Sequence, residues 1–164
     1  MKSLLSVFLI TLCVEATAQT DTTTIYLPHK QLDSTIKNLA PIPGKAIVYI
    51  LRPDIHGALL KYRFDVDTFM MGWLGIRSYL YTILDPGVHV FKAIMESDLK
   101  LTSTLEAGKI YFMQLDVRLS FRHPSPWFTL YKEEDARKDL RKCSLSKYNS
   151  YPDFPRVKLR MFEP

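Results

Sequence analysis

Cysteine and glycine are scarce in this chain of 164 residues, and their scarcity excludes several kinds of protein. There are only two cysteines, Cys13 and Cys143, so the chain is not a disulfide-rich scaffold. The six glycines stand apart from one another at predicted turns, so the sequence contains no glycine-rich phosphate loop. No internal repeat and no low-complexity segment occurs, which excludes a solenoid. A single compact domain is therefore the starting hypothesis.

Long apolar runs are also missing, since the longest one covers residues 4–14. Spanning a bilayer as a helix takes roughly 20 residues, so this run is too short for a transmembrane segment. It follows the charged Lys2 and precedes Ala16-Thr17-Ala18, whose small side chains suit a signal peptidase. We expect residues 1–18 to be a secretory signal peptide that is cleaved after Ala18. An uncleaved N-terminal anchor is the alternative.

The predicted export indicates the compartment of the protein and whether disulfides could stabilise the domain. Cys13 follows the bulky Leu12, which disfavours lipidation, so we expect a protein of the periplasm or the cell surface that is not a lipoprotein. After cleavage Cys143 is the only cysteine, and a lone cysteine forms no internal disulfide. A mature chain of about 146 residues is long enough to be stabilised by its own core.

Charge gives weaker guidance, because the formal net charge is only +5. An excess of Lys and Arg favours anionic partners. Nucleic acid is not an expected partner of an exported protein. An envelope protein, an envelope polymer or lipid head groups are the expected anionic partners. A solvated basic surface without a partner is the alternative.

Apolar periodicity predicts a mainly β domain at residues 44–145, preceded by a leader or linker at 19–43. Pro41-Ile42-Pro43-Gly44 marks the boundary, because two prolines and a glycine break regular structure. Residues 46–51 form a continuous apolar run, and Tyr62, Phe64 and Val66 alternate with polar residues. Strands that recur at this short spacing predict a small antiparallel β-sandwich of about seven to eight strands.

One helix is predicted at the C-terminal end of this domain, from Glu133 to about Cys143. Acidic residues open it and basic residues close it, which matches the helix macrodipole. Ala136, Leu140 and Cys143 share one face, so the helix can pack on the sandwich. Residues 146–164 are a basic, aromatic tail without a clear period.

Several segments, in this order, resemble the DUF2846 family of exported bacterial domains. They are Val48-Tyr49-Ile50-Leu51-Arg52-Pro53, Asp65-Val66-Asp67, Ser78-Tyr79, Pro86-Gly87-Val88-His89-Val90-Phe91, Glu106-Ala107-Gly108-Lys109-Ile110-Tyr111-Phe112 and Glu133-Glu134-Asp135-Ala136. Two of these elements also resemble hairpins of PEGA-like and transthyretin-like β-sandwiches. The resemblance implies a β-sandwich in the cell envelope and carries over no catalytic residues.

The residue types used for chemistry are present but are not grouped. The four histidines lie about thirty residues apart, without the short spacing of a metal site, so no metal and no other cofactor is expected. Cys143 lies on the apolar helix face, where burial would raise the pKa of its thiol. His89 is predicted to face solvent from an alternating strand. Asp65 and Asp67 are predicted to share a wet strand face, where a solubilising role is favoured over paired-carboxylate chemistry.

Four residues are candidates for binding a ligand or a partner. Arg52 ends the first strand, where its guanidinium can bind a carboxylate or a phosphate, or backbone carbonyls of its own chain. Trp73, Tyr79 and Trp127 can form aromatic platforms or belong to the core. We therefore expect a non-enzymatic module that binds another envelope component, most simply a protein. The alternatives are a carrier or sensor of a small hydrophobic or anionic ligand, and a hydrolase whose site is assembled from loops.

Overall fold

The computed structural model describes residues 29–95, 98–118 and 125–146, and within them the chain forms two helices and nine strands. The helices are α1 (His29–Lys37) and α2 (Glu133–Lys142). The strands are β1 (Ala46–Arg52), β2 (Tyr62–Val66), β3 (Phe69–Leu74), β4 (Ser78–Leu84), β5 (Gly87–Ile94), β6 (Asp98–Leu105), β7 (Ile110–Arg118), β8 (Ser125–Leu130) and β9 (Ser144–Leu145). The predicted signal peptide and the tail from residue 147 lie outside the described residues. Neither described helix is long and apolar enough to cross a membrane.

The strands form two sheets, which confirms the predicted mainly β sandwich with a C-terminal helix. The five-stranded sheet has the order β8-β7-β1-β4-β9, and the four-stranded sheet has the order β3-β2-β5-β6. Most pairs are antiparallel, but β1 pairs with β7 and β4 pairs with β9 in parallel. Parallel neighbours need a long crossover. The chain makes them by passing through the other sheet before β7 and through α2 before β9.

The main core lies between the sheets and follows the predicted alternation. In β2, Tyr62, Phe64 and Val66 are buried, while Arg63 and Asp65 between them are only partly buried. A bulge shifts the register of β2 and β3, and Met71 in the bulged region is buried in this core. Inward side chains of both sheets meet here, so this layer accounts for most of the buried apolar area.

A second core covers the opposite face of the five-stranded sheet. All seven residues of β1 are buried, because Ile47, Tyr49 and Leu51 point away from the sandwich and pack beneath the helices. The Tyr49 ring stacks on Phe112 with centroids 5.1 Å apart, and its hydroxyl donates a 2.5 Å hydrogen bond to the Ile36 carbonyl. A strand buried on both faces produces a continuous apolar run. The apolar run of β1 in the sequence has this cause.

Helix α1 lies inside the segment for which we predicted only a leader. Ile36 is buried in the second core, and Leu32 packs beside it. Asp33 accepts hydrogen bonds from the Lys37 ammonium at 2.7 Å and from the Leu145 backbone N–H at 2.8 Å. A nine-residue helix has little stability of its own, so packing and these two contacts hold it. Its pattern of two apolar residues was too short for the sequence to reveal it.

Helix α2 agrees closely with its prediction. Ala136, Leu140 and the following Cys143 are buried, and together they form the predicted apolar stripe on the second core. The ion pairs of Arg137 with Glu133 and of Lys138 with Glu134 have the i, i+4 spacing that supports a helix. Both helices therefore pack on the five-stranded sheet.

Candidate functional site

The four predicted binding residues are not brought together by the fold. Arg52 and Tyr79 are buried, at 1% and 0% exposed, whereas Trp73 and Trp127 reach the surface at 39% and 40%. Trp73 lies on β3 and Trp127 on β8, which are edge strands of different sheets. Because β3 lies near β4 and β6 lies near β8, the two tryptophans stand on opposite sides of the sandwich. A single site made of all four residues is not formed.

Arg52 binds its own chain. Its guanidinium donates to the carbonyls of Leu60 at 2.6 Å and of His56 and Gly57 at 2.8 Å, and it lies over the Tyr62 ring. Burial lowers the pKa of Arg52 relative to an exposed arginine, against the attraction of Tyr62 and Asp54. These contacts match the backbone-carbonyl alternative that the sequence left open. Arg52 positions the loop between β1 and β2 and does not face a partner.

Gly57 is needed where this loop meets Arg52. Its φ is +65°, and an added Cβ would lie 2.9 Å from the Leu60 side chain and 3.3 Å from an Arg52 nitrogen. Both the backbone conformation and the close approach therefore require glycine at this position.

Tyr79 belongs to the second core and is not a surface platform. Its ring packs 6.2 Å from that of Tyr49, and its hydroxyl donates to the Asp33 carbonyl at 3.3 Å. Cys143 is buried in the same core, and burial raises the pKa of its thiol to about 12. A thiol with so high a pKa is a weak nucleophile at neutral pH, as the sequence predicted.

The outer side of the four-stranded sheet is exposed, and it contains Trp73. We call this surface the open face. Strand registers place on it Arg63, Asp65, Met70, Trp73, Val88, Val90, Lys92, Ile94, Asp98, Lys100, Thr102 and Thr104. Val88 is 66% exposed, and within the described residues both helices lie on the other sheet, so neither covers the open face. Apolar and charged side chains alternate over a flat surface of four strands.

Among the residues that the structure describes, the open face carries three basic ones, Arg63, Lys92 and Lys100, and two acidic ones, Asp65 and Asp98. Arg63 and Asp65 form a two-bond ion pair at 3.1 and 2.8 Å, which largely compensates both. Lys92 lies directly opposite Lys100, and its ammonium donates to the Asp67 carbonyl at 3.2 Å. Like charges opposite each other repel and destabilise a sheet, so an anionic group placed near Lys100 would relieve that repulsion.

His89 is a correction to the sequence analysis, which had it facing solvent. It does point away from Val88 and Val90, but those two valines are on the open face, and the His89 side chain is only 14% exposed. Its Nδ1 lies 2.7 Å from an Asp67 carboxylate oxygen, and its Nε2 lies 2.9 Å from the Asp85 carbonyl oxygen. Burial lowers the pKa of His89, but the bonds to Asp67 and Asp85 outweigh burial and raise it overall.

Asp67 consequently does not act with Asp65. It lies in the turn after β2 with a φ of 51°, and its carboxylate accepts from the Val90 backbone N–H at 2.9 Å as well as facing His89. Burial raises the pKa of Asp67, but the bonds from Val90 and His89 prevail and lower it. Asp65 is held by Arg63 instead. The two carboxylates have separate structural partners.

A metal centre is not indicated by the arrangement of side chains. Within residues 29–95, 98–118 and 125–146, no three His, Cys, Asp or Glu side chains are grouped so that they could hold an ion. No family model matches the chain, and neither a curated protein nor a solved structure matches it. The resemblance to the DUF2846 family therefore stays a prediction.

The open face was only partly visible in the sequence. Trp73 is one of the four binding candidates from the sequence, but the alternation of β5 predicts a solvent-facing His89 and therefore the opposite, inward direction for Val88. Which of the alternating side chains of β5 are buried depends on which face of the sheet the rest of the fold covers. The local sequence of β5 alternates in either case and does not distinguish the two faces.

Proposed function

We propose that this chain is an exported, non-enzymatic binding module that docks an acidic protein of the cell envelope on the open face. One observation carries this proposal: Trp73 and Val88 are exposed on a sheet face that neither described helix covers. Partly exposed aromatic side chains on a rigid surface are frequent anchors of protein interfaces.

Apolar area on the open face supports a protein partner. Trp73 and Met70 lie on β3, and Val88, Val90 and Ile94 lie on β5 of the same face, with Arg63 and Asp65 of β2 between the two groups. Apolar side chains interspersed with charged ones on an exposed face are typical of interaction sites. Strands also hold these side chains more rigidly than loops would, which limits the entropy lost on binding.

Charge supports an acidic partner. Lys92 and Lys100 lie opposite each other, with Lys92 bound to the Asp67 carbonyl and Asp65 paired with Arg63, so Asp98 is the remaining acidic residue described on this face. Carboxylates on a partner would offset the repulsion between the lysines and would speed association. The net charge of +5 acts in the same direction at longer range.

The test compares two tryptophans that have similar exposure. Mature protein starting at Gln19 is immobilised as wild type, Trp73→Ala and Trp127→Ala, and each is incubated with a native envelope extract. A protein retained by wild type is identified, produced separately and titrated against the three forms. We expect Trp73→Ala to weaken binding by about tenfold or more, and Trp127→Ala to leave it unchanged.

Salt and lipid controls complete this experiment. Added salt and Lys100→Glu should both weaken the purified complex, because screening and charge reversal remove the attraction to carboxylates. Phosphatidylglycerol vesicles are tested in parallel. Equal binding by wild type and Trp73→Ala would overturn the proposal, as would sedimentation with vesicles in place of a protein.

A further inference from the structure

A group of polar side chains lies on the outer face of the five-stranded sheet, along β7 and β8. It consists of Gln114, Asp116, Arg118, Trp127 and Thr129, and we call it the polar cluster. Asp116 is directly opposite Trp127 in the strand register, and Gln114 is directly opposite Thr129. Alternate residues of a strand share a face, so all five side chains project to the same side.

Asp116 is the centre of the hydrogen bonds in this cluster. The Gln114 amide nitrogen donates to one of its carboxylate oxygens, and the Thr129 hydroxyl donates to the other at 3.1 Å. Both contacts fix the orientation of the carboxylate. They also fix which end of the Gln114 amide faces Asp116, because only the nitrogen can donate.

The other end of that amide is the unusual feature. Gln114 is 9% exposed, and its Oε1 is buried without a hydrogen-bond partner among the described residues. An acceptor left in this state costs about 1–3 kcal/mol. Flipping the amide would not help, since Oε1 would then face the Asp116 carboxylate. Oε1 has almost no accessible surface, so an incoming group would not reach it, and the cost is borne to hold the amide nitrogen against the Asp116 carboxylate.

Trp127 adds an aromatic surface beside these polar atoms. It is 40% exposed, and the Arg118 guanidinium lies 5.5 Å from its ring centroid. The cluster thus combines an apolar ring with a carboxylate, a hydroxyl and a guanidinium. A saccharide has the complementary combination, because its C–H faces are apolar and its rim carries hydroxyls that both donate and accept.

We propose that the polar cluster is a binding site for a neutral saccharide, in which one sugar ring lies against Trp127 and a sugar hydroxyl donates to the Asp116 carboxylate. Arg118 donates to a sugar oxygen, and Gln114 and Thr129 keep the carboxylate oriented. This site is separate from the open face and does not depend on the protein docking proposed above. It would attach the module to a carbohydrate while the open face is engaged.

Nearby charges favour a neutral sugar over an acidic one. Tyr131, which follows β8, donates to Asp139 at 3.2 Å. Burial raises the pKa of Tyr131, and the charges of Asp139, Asp116 and Asp135 raise it further. A uronate carboxylate placed against Asp116 would be repelled by the like charge there, which favours a neutral sugar at that position.

The two tryptophans give a direct test, because the chain contains no others. The full mature protein is labelled with nitrogen-15, and the two indole N–H signals are assigned with Trp73→Phe and Trp127→Phe. The probes are chitotetraose, maltotetraose, tetragalacturonate and free N-acetylglucosamine, each added at millimolar concentration. We expect a neutral tetrasaccharide to shift the Trp127 signal and to leave the Trp73 signal in place.

Variants then tie the shift to the cluster. Asp116→Asn and Thr129→Val keep side-chain size. The first removes the charge of the acceptor and the second removes a hydrogen bond that orients it, so each should weaken binding by about tenfold. The unshifted Trp73 signal reports that each variant is folded, and Thr129→Val serves if Asp116→Asn does not fold. Free N-acetylglucosamine binding as tightly as chitotetraose would assign the site to a single sugar unit.

Three results would overturn the saccharide site. They are an unmoved Trp127 signal with every probe, tighter binding of tetragalacturonate than of the neutral sugars, and equal affinity of wild type and both variants. None of these results bears on Trp73, so the two proposals can fail separately.

Discussion

The two sheets of this molecule are packed differently, and the difference separates stability from recognition. Around β1 the five-stranded sheet is buried on both faces, between the other sheet and the two helices, while its edge strand β8 is partly exposed. The four-stranded sheet is buried on its inner face, and its outer face carries exposed Trp73 and Val88. Where a sheet is covered on both sides its outer positions are committed to folding, whereas positions covered on one side only are available for a partner.

The hydrophobic patterns of the strands differ in the same way. Strand β1 is an unbroken apolar run with every residue buried, while β6 alternates between exposed and partly buried residues along its length. Continuous and alternating patterns are what double-sided and single-sided burial produce. Substitutions at matched positions should therefore have unequal effects in the two sheets.

The largest effect is expected at Tyr49, on the helix side of β1. Tyr49→Ala removes a side chain that is 0% exposed, together with its stacking on Phe112 and its bond to the Ile36 carbonyl. Truncating a large buried aromatic side chain lowers the free energy of unfolding by about 3–5 kcal/mol. Chemical denaturation followed by circular dichroism measures this value.

Tyr49→Phe is the matched control, because it keeps the ring and removes only the hydroxyl. Its cost should be about 0.5–1.5 kcal/mol for one hydrogen bond, because the Ile36 carbonyl still accepts from the Leu39 backbone N–H at 3.3 Å. If Tyr49→Ala costs no more than Tyr49→Phe, the helices do not hold the second core as the structure describes.

A smaller, pH-dependent effect is expected at the end of the four-stranded sheet, where His89 faces Asp67. The pKa of His89 is raised above 6.5, so its contribution is fully present below that pH and is lost as the pH rises through the folded pKa. The pKa of Asp67 is lowered below 3.8, so its contribution is present above 3.8 and is lost as the pH falls through the folded pKa. The pair therefore stabilises the fold most between these two values.

The magnitude is limited because the Asp67 side chain is 38% exposed and the pair is partly screened. We expect wild type to lose about 1 kcal/mol or less above the pKa of His89. His89→Asn removes the titrating group, so its unfolding free energy should change less over the same range. The Asp85 carbonyl and carboxylate and the Lys92 ammonium also lie near the pair, and all three are left unchanged in the comparison. Parallel pH profiles of wild type and His89→Asn would contradict the linkage.

Much of the fold could be predicted from local patterns, and less of the site. The period of β2, the apolar run of β1 and the charge order of α2 each follow from neighbouring residues, and each was confirmed. Helix α1 and the parallel strand β9 were missed because they are short and depend on contacts with Asp33 and Tyr79, far along the chain. The roles of Arg52 and His89 depend on carbonyls and carboxylates that only folding brings near them.

The smallest effect on stability is expected from Val88→Thr on the outer face of the four-stranded sheet, with Val66→Thr on its inner face as the matched comparison. Val88 and Val66 lie on neighbouring strands, at 66% and 3% exposed. Valine and threonine have similar shape and both suit strands, so Val→Thr mainly replaces a methyl group with a hydroxyl. At Val66 the buried hydroxyl should cost about 1–3 kcal/mol, whereas Val88→Thr should stay within about 0.5 kcal/mol of wild type. Binding should show the reverse order, because Val88 lies on the open face and Val66 does not. Measuring the unfolding free energy and the affinity of both variants decides the matter: if Val88→Thr destabilises the fold as much as Val66→Thr, the outer face is covered and cannot be the docking surface.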